Sequence, residues 1–113
     1  MTIKEKLQDE IVIIALRGTL LGEPHASNLR QTVYRLLGEE RKKFVFDLGD
    51  LKFINSMGLG SFIAALTSIR KRGGDMCLAR VRGKVEAVIM ITQLVKVFRL
   101  YATVEKAIES FKE

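Results

Sequence analysis

The run Ile11-Val12-Ile13-Ile14-Ala15-Leu16 holds no polar residue and is mostly β-branched. A strand with one wet face alternates apolar and polar residues. An unbroken run of this kind reads as a strand buried on both faces. Thr2 to Leu7 fits an edge strand beside it, with Gln8-Asp9-Glu10 as the turn, and Gly18 is expected to end the second strand. Layers must then cover the sheet, and the rest of the chain supplies helices to do so.

Glu23 and Pro24 suit a first helical turn, and Leu29, Val33, Leu36 and Leu37 form one apolar stripe before Gly38, a candidate stop. Phe44 to Leu48 is the next strand, Gly49-Asp50 a turn and Leu51 to Asn55 a loop. Ser56 precedes a second helix expected to run to about Arg72, with Leu59, Phe62, Ile63, Leu66 and Ile69 facing the core. Gly73-Gly74 breaks it. Met76 to Val81 is a strand, Val85 to Thr92 a helix with Gly83 near its start, Val97 to Leu100 a short strand, and Val104 to Phe111 a final amphipathic helix. The order β-β-α-β-α-β-α-β-α predicts an α/β fold in which crossover helices cover a small mixed, mainly parallel sheet. With no linker or repeat, residues 1–113 form a single domain.

Composition narrows the chemistry. Cys77 is the only cysteine and His25 the only histidine, so no internal disulfide, zinc cluster or choice of catalytic imidazoles is expected. Gly58-Leu59-Gly60 lacks the third glycine of a dinucleotide loop. Asp47 and Asp50 read as strand-end and turn residues, Cys77 as a small core residue, and His25 as a surface residue in a first helical turn. No enzyme, metal or cofactor is expected. No apolar h-region follows Met1–Lys6 and no run is long enough to span a bilayer, so a cytoplasmic setting is expected. The net charge of +6 and the set Arg70-Lys71-Arg72, Arg80, Arg82 and Lys84 permit an anionic partner. Without interleaved aromatics or a nucleic-acid-binding signature, direct nucleic-acid binding is not expected.

The informative stretch is Phe53-Ile54-Asn55-Ser56-Met57-Gly58-Leu59-Gly60. Ser56, just before the periodic helix, fits an N-cap, the commoner use of a serine there. A helix N-terminus also favours negative charge, so phosphorylation of Ser56 would alter the surface and spare the fold. Opposite the core stripe lie Met57, Gly60, Ser61, Ala64, Ser68 and Lys71, a mostly small face that either admits a close partner or lies under the protein's own loops.

These residues, with Asp47-Leu48, Leu16-Arg17-Gly18 and the Gly73-Gly74 break, resemble the STAS domain, especially bacterial anti-sigma factor antagonists, over nearly the whole chain. The resemblance implies a small sheet with helices chiefly on one side. It also implies partner switching: the chain would bind an anti-sigma factor that is also a serine kinase. Phosphorylation of Ser56 would release it and a serine phosphatase would reset it. On this reading the partner surface is Asn55, Ser56, Met57, Gly58, Gly60, Ser61, Ala64 and Ser68. Asn55 stands where the family usually has Asp, Met57 where it has Ser or Thr, and Thr19-Leu20-Leu21 where it often has Glu-Leu-Asp. The alternative is a STAS-like scaffold without a phosphoswitch, such as an accessory subunit of a transporter or a multiprotein assembly.

Overall fold

Strands lie side by side in the order in which the chain makes them. The computed structural model describes residues 1–112. The elements are β1 (Thr2–Gln8), β2 (Ile11–Leu20), α1 (His25–Gly38), β3 (Lys43–Ile54), α2 (Ser56–Lys71), β4 (Asp75–Ala79), α3 (Gly83–Ile91), β5 (Leu100–Tyr101) and α4 (Val104–Ser110), with a 3-10 turn at Leu94–Lys96. The sheet order is β1-β2-β3-β4-β5. β1 pairs antiparallel with β2, and every later pairing is parallel. Each right-handed crossover steps the same way across the sheet, so α1, α2 and α3 fall on one face.

That face holds the main core. Val12, Ile14 and Leu16 of β2, with Phe44, Phe46 and Leu48 of β3, meet Leu29 and Val33 of α1, Phe62 and Ile69 of α2, and Val85 and Ile89 of α3. The opposite face carries Ile11, Ile13, Val45, Cys77 and Ala79, covered by Ala107 and Ile108 of α4. The Ile11–Leu16 run is therefore enclosed from both sides, as its composition requires. Cys77 is a buried core residue, and burial pushes its thiol up to about 11. It is a poor nucleophile there.

Several boundaries differ from the sequence expectation. β2 does not end at Gly18; it continues to Leu20, with Gly18 at φ +95° where the pairing with β3 shifts register. β3 does not turn at Gly49-Asp50, and Leu51 to Ile54 is strand, not loop. Pro24 precedes α1 instead of lying in its first turn, and the Glu23-Pro24 bond is cis. Gly38 is the last residue of α1, and the left-handed residue after it is Glu40, at φ +64°. β4 stops at Ala79, and Arg80 turns away at φ +59°. Val97 and Phe98 follow the 3-10 turn without forming a strand, and Phe98 enters the core.

Candidate functional site

The extensions of β2 and β3 bring two chain segments to one corner of the molecule. Leu20 and Ile54 are register partners at the carboxyl ends of these strands. The Asn55 N–H still donates to the Leu20 carbonyl at 3.3 Å, after which the chain enters α2.

Asn55, not Ser56, caps this helix. Its backbone is extended (φ −105°, ψ −176°), and its side-chain oxygen accepts the Gly58 N–H at 3.0 Å. Its amide nitrogen donates to the Leu21 carbonyl at 2.9 Å. Asn and Ser are comparable caps, and the strand's extension to Ile54 moves the cap back by one residue. An aspartate could accept from Gly58 but could not donate to Leu21; asparagine does both. Asn55→Ala should therefore cost about 1–2 kcal/mol. Asn55→Asp should keep the cap but lose the tie to the β2–α1 loop and set a carboxylate oxygen against the Leu21 carbonyl. Urea melts of the two variants against wild type measure the difference.

With capping done by its neighbour, Ser56 is the first residue of α2 and is exposed. No acidic residue lies in that first turn, and none occurs in the sequence between Asp50 and Asp75. The segments that meet at this corner carry exposed apolar side chains: Met57 is 59% exposed, Leu21 45% and Phe53 39%. Leu21 was not legible as a site residue, because the loop that carries it is brought to α2 by the pairing of β2 with β3, whereas Phe53 lies in the informative stretch itself, two residues before the cap. Met57 also covers Gly22, where an added Cβ would lie 3.2 Å from its sulfur.

The expected partner-facing residues separate into three groups. Asn55, Ser56 and Met57 share the corner. Gly58 is buried and presents no side to a partner: an added Cβ would lie 2.5 Å from the Leu20 carbonyl oxygen. Gly60 is exposed with nothing within 4 Å of such a Cβ. Ser61, Ala64 and Ser68 instead line a shallow groove against Ala26, Val33, Tyr34 and Arg30 of α1, with the two serines half-buried. The small residues on this side of α2 let α1 approach. Ile63, expected in the core, is 41% exposed, and Ala65 is buried in the core instead.

The arginines of the basic set are largely engaged. Arg80 pairs with Asp47 at 3.2 Å, and Asp47 also accepts the Gly49 N–H at 3.0 Å. Arg82 donates to the Gly49 carbonyl at 2.9 Å and lies 3.9 Å from Asp50. Arg70 pairs with Asp75 at 3.3 Å. His25 is half-buried at the start of α1, its Nδ1 3.5 Å from the Leu21 nitrogen. Among the described residues no group of three or more His, Cys, Asp or Glu side chains could hold a metal ion. Among the described residues no helix is long and apolar enough to cross a membrane.

The STAS domain family matches residues 2–107. A Thermotoga maritima protein provisionally named an anti-sigma factor antagonist is 29% identical over 108 residues, 95% of each chain. The crystal structure of a Thermotoga maritima protein with the same provisional name superposes with a TM-score of 0.90 at 28% identity, covering 98% of this chain and 95% of that one. The Bacillus cell fate determinant SpoIIAA, solved in its phosphorylated form, shares the fold with a TM-score of 0.75 at 19% identity, over 97% of this chain and 99% of its own.

Proposed function

The chain belongs to the STAS domain family, and on that footing we propose that it is a non-enzymatic regulatory binding protein, an anti-sigma factor antagonist. It docks an anti-sigma factor that is also a serine kinase, in the cytoplasm, through the corner around Ser56. Phosphorylation of Ser56 releases it and a serine phosphatase restores it, so that it controls sigma-factor-dependent transcription. The observation that carries this reading is the placement of Ser56: exposed as the first residue of α2, relieved of capping by Asn55, and next to the exposed Met57.

Physical chemistry supports a switch of this form. A phosphate would add roughly −1.5 to −2 charges at the first residue of a 16-residue helix. The helix dipole and the lack of an acidic residue in the first turn of α2 let the fold accept it. An apolar partner seated on Met57 and Phe53 would have to desolvate it, which is costly. The chain switches by charge placement, with no change of fold needed.

Binding of the purified chain to its cognate anti-sigma factor, measured by calorimetry, tests the reading. Wild type and Ser56→Ala should bind, and Ser56→Asp should bind at least about tenfold more weakly, the loss that a single desolvated charge imposes. Incubation with the kinase and ATP should give a modified Ser56 peptide by mass spectrometry. A Ser56→Asp variant that binds as wild type does, or the absence of that peptide, would favour the scaffold without a phosphoswitch.

A further inference from the structure

On α3 the apolar residues do not stop at the core. Val85 and Ile89 are buried, but the opposite side of the helix carries Ala87 flanked by Met90 and Ile91. Ile91 is 82% exposed and Met90 56%. The chain then reverses through Gln93, at φ +62°, and the 3-10 turn, and Val97 is again exposed. Leu94, Val95 and Phe98 hold this shoulder against the core, so its apolar tips stand on a fixed base. Protruding apolar side chains grouped on one shoulder mark an interaction surface.

Charge indicates what covers it. Glu86 is exposed one turn before Met90 on this side of α3, and no further acidic residue occurs before Glu105, against the two lysines Lys84 and Lys96. Lys84 lies seven positions before Ile91, on the same side of α3. Lys96 precedes Val97, and its Nζ holds the Gln93 side chain at 3.2 Å. Neither lysine forms an ion pair among the described residues. A second copy of the chain is a poor occupant. A nine-residue helix is about 14 Å long, and its outer face falls well short of the roughly 800 Å² per partner of a stable interface. It would also bring Lys84 and Lys96 toward their own copies. A convex tip as exposed as Ile91 suits a medium that moulds around it.

We propose that the shoulder from α3 to Val97 docks on an anionic lipid bilayer. Met90, Ile91 and Val97 enter the boundary between headgroups and acyl chains, and Lys84 and Lys96 meet lipid phosphates. The experiment is co-sedimentation of the full chain with phosphatidylcholine vesicles and with vesicles that also contain phosphatidylglycerol. Binding is expected only to the anionic vesicles and should weaken as salt is raised. The double variant Met90→Ser/Ile91→Ser should lose at least about tenfold in vesicle affinity at unchanged net charge and unchanged Tm. Lys84→Gln/Lys96→Gln should lose the preference for anionic lipid. Absence of wild-type binding overturns the proposal. So does binding that the serine variant retains, which would be plain adsorption of a +6 chain. If wild type ignores both vesicles while the serine variant loses affinity for the anti-sigma factor, the shoulder docks protein instead, and the proposal is wrong. The vesicle measurement involves neither Ser56 nor a kinase, so its failure leaves the switch reading intact.

Discussion

Phe62→Ala is expected to lower the unfolding free energy by about 3–5 kcal/mol, a large part of what holds a domain of this size together. Phe62 is fully buried at the centre of α2. Its ring stands edge-on to Phe46 of β3, with centroids 5.6 Å apart and planes at 89°, and to Phe98 at 6.5 Å and 76°. Truncation removes the transfer energy of the ring and leaves a cavity between a strand and a helix that are each held by other contacts. It also removes two aromatic pairs, each worth about 0.5–1.5 kcal/mol beyond burial. The midpoint of thermal unfolding should fall by about 15–20 °C. Urea unfolding with an unchanged slope is the measurement that checks it. A loss below about 1.5 kcal/mol would mean that α2 can collapse into the void. The centre of the core would then be softer than its packing implies.

The elements of this fold are legible in the sequence because each apolar run has the right period: unbroken in the central strands, 3.6 in the helices. What the sequence hid were places where a neighbour overrides a local signal. Gly49-Asp50 has the composition of a turn, yet β3 runs through it. The guanidinium of Arg80 occupies the space a side chain at Gly49 would take, and Asp50 pairs with Arg17 of β2 beside a register shift. That strand pairing outweighs turn propensity. The same override carries β2 past Gly18. Capping was ambiguous by one residue because Asn55 and Ser56 are both competent caps, and only the length of β3 decides between them.

The site was legible in part. Met57 and Gly60 are exposed as their helical spacing predicts, and Ser56 is exposed at the helix start. Ser61 and Ser68 share that spacing, but they line the groove to α1, and no periodicity within α2 could reveal which neighbour it has. Ile63 lies at the margin of the apolar stripe, where a small rotation of the helix decides between core and solvent.

The two glycines of the Gly58-Leu59-Gly60 stretch should respond to alanine with opposite signs. At Gly58 the added methyl would meet the Leu20 carbonyl oxygen at 2.5 Å and Ile54 Cγ1 at 2.7 Å. That oxygen cannot retreat without cost, because it ends β2 and accepts the Asn55 N–H. The first turn of α2 must move instead, strain the cap and re-aim Ser56. Gly58→Ala should destabilise by about 3 kcal/mol, toward the upper end for an overpacked site. At Gly60 the methyl would meet nothing within 4 Å, and the helix would lose its least favourable residue. Gly60→Ala should stabilise by about 0.5–1 kcal/mol. A glycine that costs its helix this much, on an open face one turn past Ser56, is explained if a partner's backbone must come close there. Gly60→Ala should then raise the Tm and weaken binding to the anti-sigma factor in the same preparation, the trade-off expected of a residue kept for contact at the expense of stability. Calorimetric binding paired with thermal melts reads both effects. If Gly60→Ala is more stable and binds as tightly as wild type, the partner does not approach along this face, and the proposed docking surface contracts to Leu21, Phe53, Ser56 and Met57.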